Sequence, residues 1–166
     1  MGGIVNVVRT LAPTVPEKYR DIITYHANCE VKEDYAVLAH TAIELVVLQL
    51  EKENITQLYP VKIIMTRDGR VEIDGGGNYL GEHYSFCVFP INTWETYKIP
   101  HVLIVATYIE ELVHHFWRTT DEVFAKEKTV EIMKIKIPEL TLRKLYGDRY
   151  NYDECGNLID DELLHT

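Results

Sequence analysis

The segment Ile104-Val-Ala-Thr-Tyr-Ile-Glu110-Glu111-Leu-Val-His114-His115-Phe-Trp117 sets two carboxylates and two imidazoles into an almost continuously apolar run. Residues three or four apart share one face of a helix, so Glu110 reaches His114, and Glu111 reaches both His114 and His115. Apolar residues cover more than one face of that helix, which predicts burial for most of it. Ionisable groups buried there must pair, lose charge or bind a metal. A metal centre is the sharpest chemistry that these residues suggest. The plainer alternative is a set of Glu–His ion pairs and a hydrogen-bonded core histidine, since structural ion pairs perturb such groups too.

Projected at about 100° per residue, Glu111 falls between His114 and His115, with Ile104, Thr107 and Arg118 on the same side. That makes Glu111 the candidate catalytic carboxylate, and His114 and His115 candidate ligands. Glu110 projects nearer Val113 and Thr107, as a solvated or structural partner, and is kept as a further candidate ligand. A metal held by one Glu and one His needs more ligands from elsewhere. His40 and Glu44 stand four apart in a mostly apolar stretch and could supply them, or could simply hydrogen-bond each other. Together these groups make two carboxylates and two or three imidazoles, a set suited to zinc, iron or manganese.

Other signals are weaker. His26-Ala-Asn-Cys29 has a ligand-like spacing that is common by chance, and Glu162-Leu-Leu-His165 repeats Glu-x-x-His close to the terminus. Gly75-Gly76-Gly77 lacks the Gly-Lys-Ser/Thr ending of a phosphate loop and reads as a turn. No Gly-x-Ser-x-Gly and no dinucleotide fingerprint occurs.

The elements that would carry these groups follow from periodicity. Residues 17–27 read as a short helix, and 34–53 as a longer one with Asp34 as its N-cap. Residues 61–65 and 71–73 flank Arg67-Asp68-Gly69-Arg70, a hairpin signal, and a third strand is expected over 83–89. A linker through Pro100 leads to the Glu/His helix at 101–118. Another helix, capped by Thr120 or Asp121, is expected to run to about residue 134. Residues 130–137 also alternate like a strand, which leaves both readings open. Pro138 opens a last helix that Gly147 ends, and 150–159 resembles a small hairpin turning at Cys155-Gly156-Asn157. The expected architecture is α+β, with helices packed on a small antiparallel sheet in one domain over 1–147. An acidic C-terminal extension, 148–166, follows.

At 166 residues the chain can bury a real core. Its net charge of −9 argues against nucleic acid and against an anionic membrane as partners. Three separated cysteines, Cys29, Cys87 and Cys155, with no signal peptide, point to reduced thiols in the cytoplasm. Eleven tyrosines favour a protein partner or self-association.

A hairpin followed by a helix carrying Glu and His resembles a minimal zincin-type metallopeptidase domain over residues 61–118. Its motif reads Glu110-Glu111-Leu-Val-His114-His115, where zincins carry His-Glu-x-x-His. Glu111-x-x-His114, with Glu44 as a bridging carboxylate, is also similar to one helix of the di-metal carboxylate proteins. In general texture the chain resembles small bacterial or phage proteins. The zincin resemblance implies a metal-dependent hydrolase, with a metal on His114 or His115, His40 and a carboxylate, and Glu111 as general base. The alternative is a non-enzymatic interaction protein, such as a phage or mobile-element adaptor, whose Glu/His groups form a buried packing network.

Overall fold

A computed structural model of the chain describes residues 3–4, 6–74 and 85–159. They fall into two compact units, one from residues up to 40 with 57–99, the other from 41–56 with residues from 100 onward. In chain order the first unit holds β1 (Gly3–Ile4), β2 (Ile23–Ala27), the opening of α1 (Glu33–Lys52), β3 (Val61–Thr66), β4 (Ile73–Asp74), β5 (Phe86–Pro90) and α2 (Ile91–Tyr97).

The expected antiparallel sheet does not form. β2 pairs with β3 and β3 with β5, both in parallel, with Ile23 opposite Val61 and Lys62 opposite Phe86. The reason lies in β3, where Ile63, Ile64 and Met65 are buried in succession. Both faces of the strand are covered, as in the middle of a parallel sheet, where strands read as continuous apolar runs. A parallel pair cannot close through a tight turn, and α1 supplies the crossover from β2 to β3.

The turn at Asp68-Gly69 is real, but its partner is not the expected one. Gly69 has φ +83° and donates its N–H to the Thr66 hydroxyl at 2.7 Å. The chain then reaches β4, which pairs antiparallel with β1 instead of folding back on β3. The helix expected over 17–27 is also replaced, by a 3-10 turn at Glu17–Tyr19 followed by β2. Ile23 and Ala27, both buried, lie four apart, which fits a helical and a two-residue period alike. The β-branched and aromatic run Ile-Thr-Tyr decides for the strand. The expected linker before Pro100 contains α2, whose Trp94 packs against Tyr35 and Phe89 at ring separations of 5.4 and 6.1 Å.

The second unit is helical. It holds the later turns of α1, then α3 (His101–Phe116), α4 (Glu122–Met133) and α5 (Leu142–Tyr146). α3 follows Pro100 and buries Ile104, Val105, Ala106, Tyr108, Ile109, Leu112, Val113 and Phe116, more than one face as expected. It ends in a Schellman-type reversal: Arg118 adopts φ +54° and the Thr119 N–H bonds back to the His114 carbonyl at 3.2 Å. Asp121 caps α4 by accepting from the Phe124 N–H at 3.0 Å. The strand alternative for 130–137 is not realised, since α4 runs to Met133 and the next amides bond back to Ile132 and Met133. α5 starts later than Pro138 suggests, at Leu142 behind a Thr141 cap, and Gly147 at φ +70° closes it. The hairpin near the C-terminus forms around Gly156, with Tyr152 bridged to Leu158. Among the described residues, no helix is long and apolar enough to cross a membrane. Gly75-Gly76-Gly77, Glu162 and His165 lie outside the described residues.

Candidate metal centre

α3 carries Glu110 and His114 four residues apart, so both project toward the same flank of the helix. The Asp121 cap starts α4 one turn after the end of α3, which places Glu122 and Lys126 on a single face of α4. The result is a cluster in which ligand atoms of Glu110, His114 and Glu122 all lie within 4.8 Å of one another. Glu122 Oε1 stands 3.4 Å from His114 Nε2. Lys126, 6% exposed, donates from Nζ to Glu110 Oε1 at 3.2 Å and to Glu122 Oε2 at 3.0 Å. From the C-terminal segment, Tyr146 donates its hydroxyl to Glu110 Oε2 at 2.8 Å, and the Tyr150 ring lies 5.5 Å from the ammonium.

The hydrogens of this cluster can be placed from their partners. His114 Nδ1 lies 3.0 Å from the Thr119 carbonyl, which can only accept, so Nδ1 carries the hydrogen. That carbonyl is delivered by the reversal that ends α3. In a neutral ring Nε2 is then a bare acceptor facing a carboxylate oxygen, and such a pair calls for a proton or a cation between them. A carbonyl on Nδ1 is also the arrangement that orients metal-ligating histidines. Burial works against the Lys126 ammonium, but the charge of Glu110 and the bonds from both carboxylates outweigh it and hold it charged. Burial and the neighbouring Glu110 push the Tyr146 hydroxyl far from ionisation, so it stays a donor.

The expected residues divide sharply. Glu110, a candidate ligand expected to reach His114 but to project away from the Glu111 side of the helix, sits in the cluster with His114. Glu111 is exposed as a residue, yet the chain around its carboxylate desolvates it and raises its pKa. Glu110 and Glu122 add to that rise, while His114 and Lys126 oppose it. His115 is half-buried, with its ring edge-on to Phe116 at 4.9 Å. His40 donates from Nδ1 to the Thr14 carbonyl at 2.8 Å within the first unit. Glu44 stands 3.6 Å from Lys136 on an exposed surface of the second unit. The His40–Glu44 pair, Glu111 and His115 are therefore not members of the close ligand group.

Sequence reasoning missed Glu122, Lys126 and Tyr146. The four-residue spacing of Glu122 and Lys126 behind a clear cap was the available signal. It also missed a second polar network in the helical unit. Glu53 accepts from Gln49 Nε2 at 2.5 Å, Trp117 Nε1 at 2.9 Å and Lys128 Nζ at 2.9 Å. Glu131 accepts from the same Gln49 and Lys128 at 2.7 and 2.6 Å. This network ties α1, α3 and α4 together, and its carboxylates are met by N–H donors, which suits a packing role, although the buried Gln49 Oε1 has no hydrogen-bond partner among the described residues.

No family profile, curated protein or solved structure matches this chain.

Proposed function

We propose that this protein binds a divalent metal ion through Glu110, His114 and Glu122, in an arrangement similar to that of zincin-type hydrolases. The observation that carries the reading is the convergence of two carboxylates and an imidazole Nε2 within 4.8 Å, the ring being turned by the Thr119 carbonyl. Three protein ligands with one position left open is the pattern of catalytic zinc sites, and carboxylate-rich sets also suit manganese and iron. The motif supports the same reading, because Glu110-Glu111-x-x-His114 places a carboxylate where zincins have their first histidine. Exposure rises from Glu110 at 19% to Glu122 at 42%, so the approach for an ion is on the Glu122 side.

A divalent ion at this place would act as a Lewis acid and ease the loss of a proton from water. Glu111, next to a ligand on the exposed side of α3, is suited to take that proton, because a carboxyl shifted upward is a better base. Tyr146 and Thr119 fix Glu110 and His114 from behind.

The Lys126 ammonium favours a second reading, a closed polar network in a non-enzymatic interaction protein. Lys126 already neutralises one of the two carboxylates and is almost fully buried between them. Calorimetric titration with zinc and manganese up to millimolar concentration separates the two. One site per chain, lost in His114→Ala and Glu110→Gln, supports the metal centre. Uptake that survives both substitutions, or no saturable uptake, would leave the packing network.

A further inference from the structure

Resting on the metal reading above, we infer that Lys126 is a tethered cation that occupies the centre in competition with the metal, so that an ion enters only as the ammonium withdraws. Coordination to Glu110 and Glu122 places a metal about 2.0–2.2 Å from a carboxylate oxygen of each. The Lys126 nitrogen lies 3.2 and 3.0 Å from those same two side chains. Two positive charges cannot share that space, because in a partly desolvated site their repulsion is far stronger than in water.

The ammonium already has a partner other than the two carboxylates. The Tyr150 ring, 5.5 Å away, presents an aromatic face that attracts a cation. Glu122, 42% exposed, opens the route toward solvent, and the long stem of Lys126 can carry its charge outward while its methylenes stay packed. Exchange moves the ammonium and keeps its proton. Without metal, Lys126 holds the two carboxylates together; with metal, the divalent ion takes over that role. A centre built this way binds its ion more weakly than its ligand set alone would allow.

Two measurements test this. The first is the affinity of zinc and manganese for the wild type, Lys126→Met and Lys126→Arg, with thermal melting of each. Lys126→Met is expected to bind at least about tenfold tighter than the wild type, to melt lower without metal, and to regain the difference with it. Lys126→Arg, which keeps the charge, is expected to bind no tighter than the wild type. Equal affinities in wild type and Lys126→Met overturn the inference and leave the metal centre standing. Absence of binding in both overturns the metal centre itself.

The second measurement uses the unaltered protein, and so does not depend on the variants folding. Amine-selective labelling with mass-spectrometric readout should find Lys126 protected without metal and modified at saturating zinc. The exposed Lys32 and Lys52 serve as internal controls. Lys126 labelling that does not change while zinc is bound overturns the exchange.

Discussion

Tyr146 donates its hydroxyl hydrogen to Glu110 Oε2 at 2.8 Å, fixing from α5 a carboxylate that α3 presents to the cluster. The bond leaves Oε1 for Lys126 and joins the C-terminal segment to the centre. Tyr146→Phe removes only the oxygen and leaves a part-buried carboxylate short of a donor. The expected cost is about 1–3 kcal/mol, read as a lower urea midpoint with an unchanged slope. A variant as stable as the wild type would show that water replaces the phenol without loss.

Glu53 is the acid-sensitive point of the second network. Burial alone raises its pKa, but the bonds from Lys128, Trp117 and Gln49 outweigh burial and set it below the ordinary value. A carboxyl lowered in the folded state adds stability above its unfolded pKa, and that stability disappears as pH falls through the folded value. Stability is therefore expected to fall as pH drops through the ordinary glutamate range, about 4.3, and below. Glu53→Gln should flatten that dependence. Denaturation midpoints at successive pH values test this, with Trp117 fluorescence reporting on the network directly. An identical acid slope in wild type and variant would assign the loss to other carboxylates.

Legibility in the sequence followed how local each signal is. α1, α3 and α4 were legible to within two residues because long apolar periodicity and the Asp121 cap are written in consecutive residues. The turns at Gly69 and Gly147 were legible because a positive φ favours glycine there. Strand pairing was not. Asp68-Gly69 specifies a turn but not which strand lies across from the chain that leaves it, and the partner of β4 came from the first residues of the protein. In the site, Glu110 and His114 were visible as a spacing on one helix. Lys126 and Tyr146 join them only through the packing of three helices, which no local pattern encodes.

Asp121 links helix capping to the site, because the helix it starts opens with Glu122. Its side chain accepts from the Phe124 N–H, and its own N–H bonds to the Thr119 hydroxyl at 3.0 Å. Asp121→Ala should cost about 1 kcal/mol through loss of the cap. It should also loosen the first turn of α4 and with it the position of Glu122, so metal affinity falls along with the melting temperature. Asp121→Asn, which can still cap, should recover both. Lost stability with unchanged affinity would show that Lys126 or His114, rather than the helix start, positions Glu122.

Glu111 separates binding from catalysis. It stands outside the close ligand group, so Glu111→Gln should leave metal stoichiometry at one and change affinity only slightly. If Glu111 removes a proton from water, the same substitution should lower metal-dependent cleavage of a fluorogenic peptide library by about 10²–10⁴-fold. Glu110→Gln should behave differently, losing metal and activity together. The contrast between these neighbouring residues is the readout, because both substitutions remove one negative charge from the same turn of α3. If Glu111→Gln also abolishes metal uptake, Glu111 is a ligand and the roles of the two carboxylates are exchanged. If metal binds and the library stays uncut by the wild type at saturating zinc or manganese, the centre binds an ion without hydrolysing peptides.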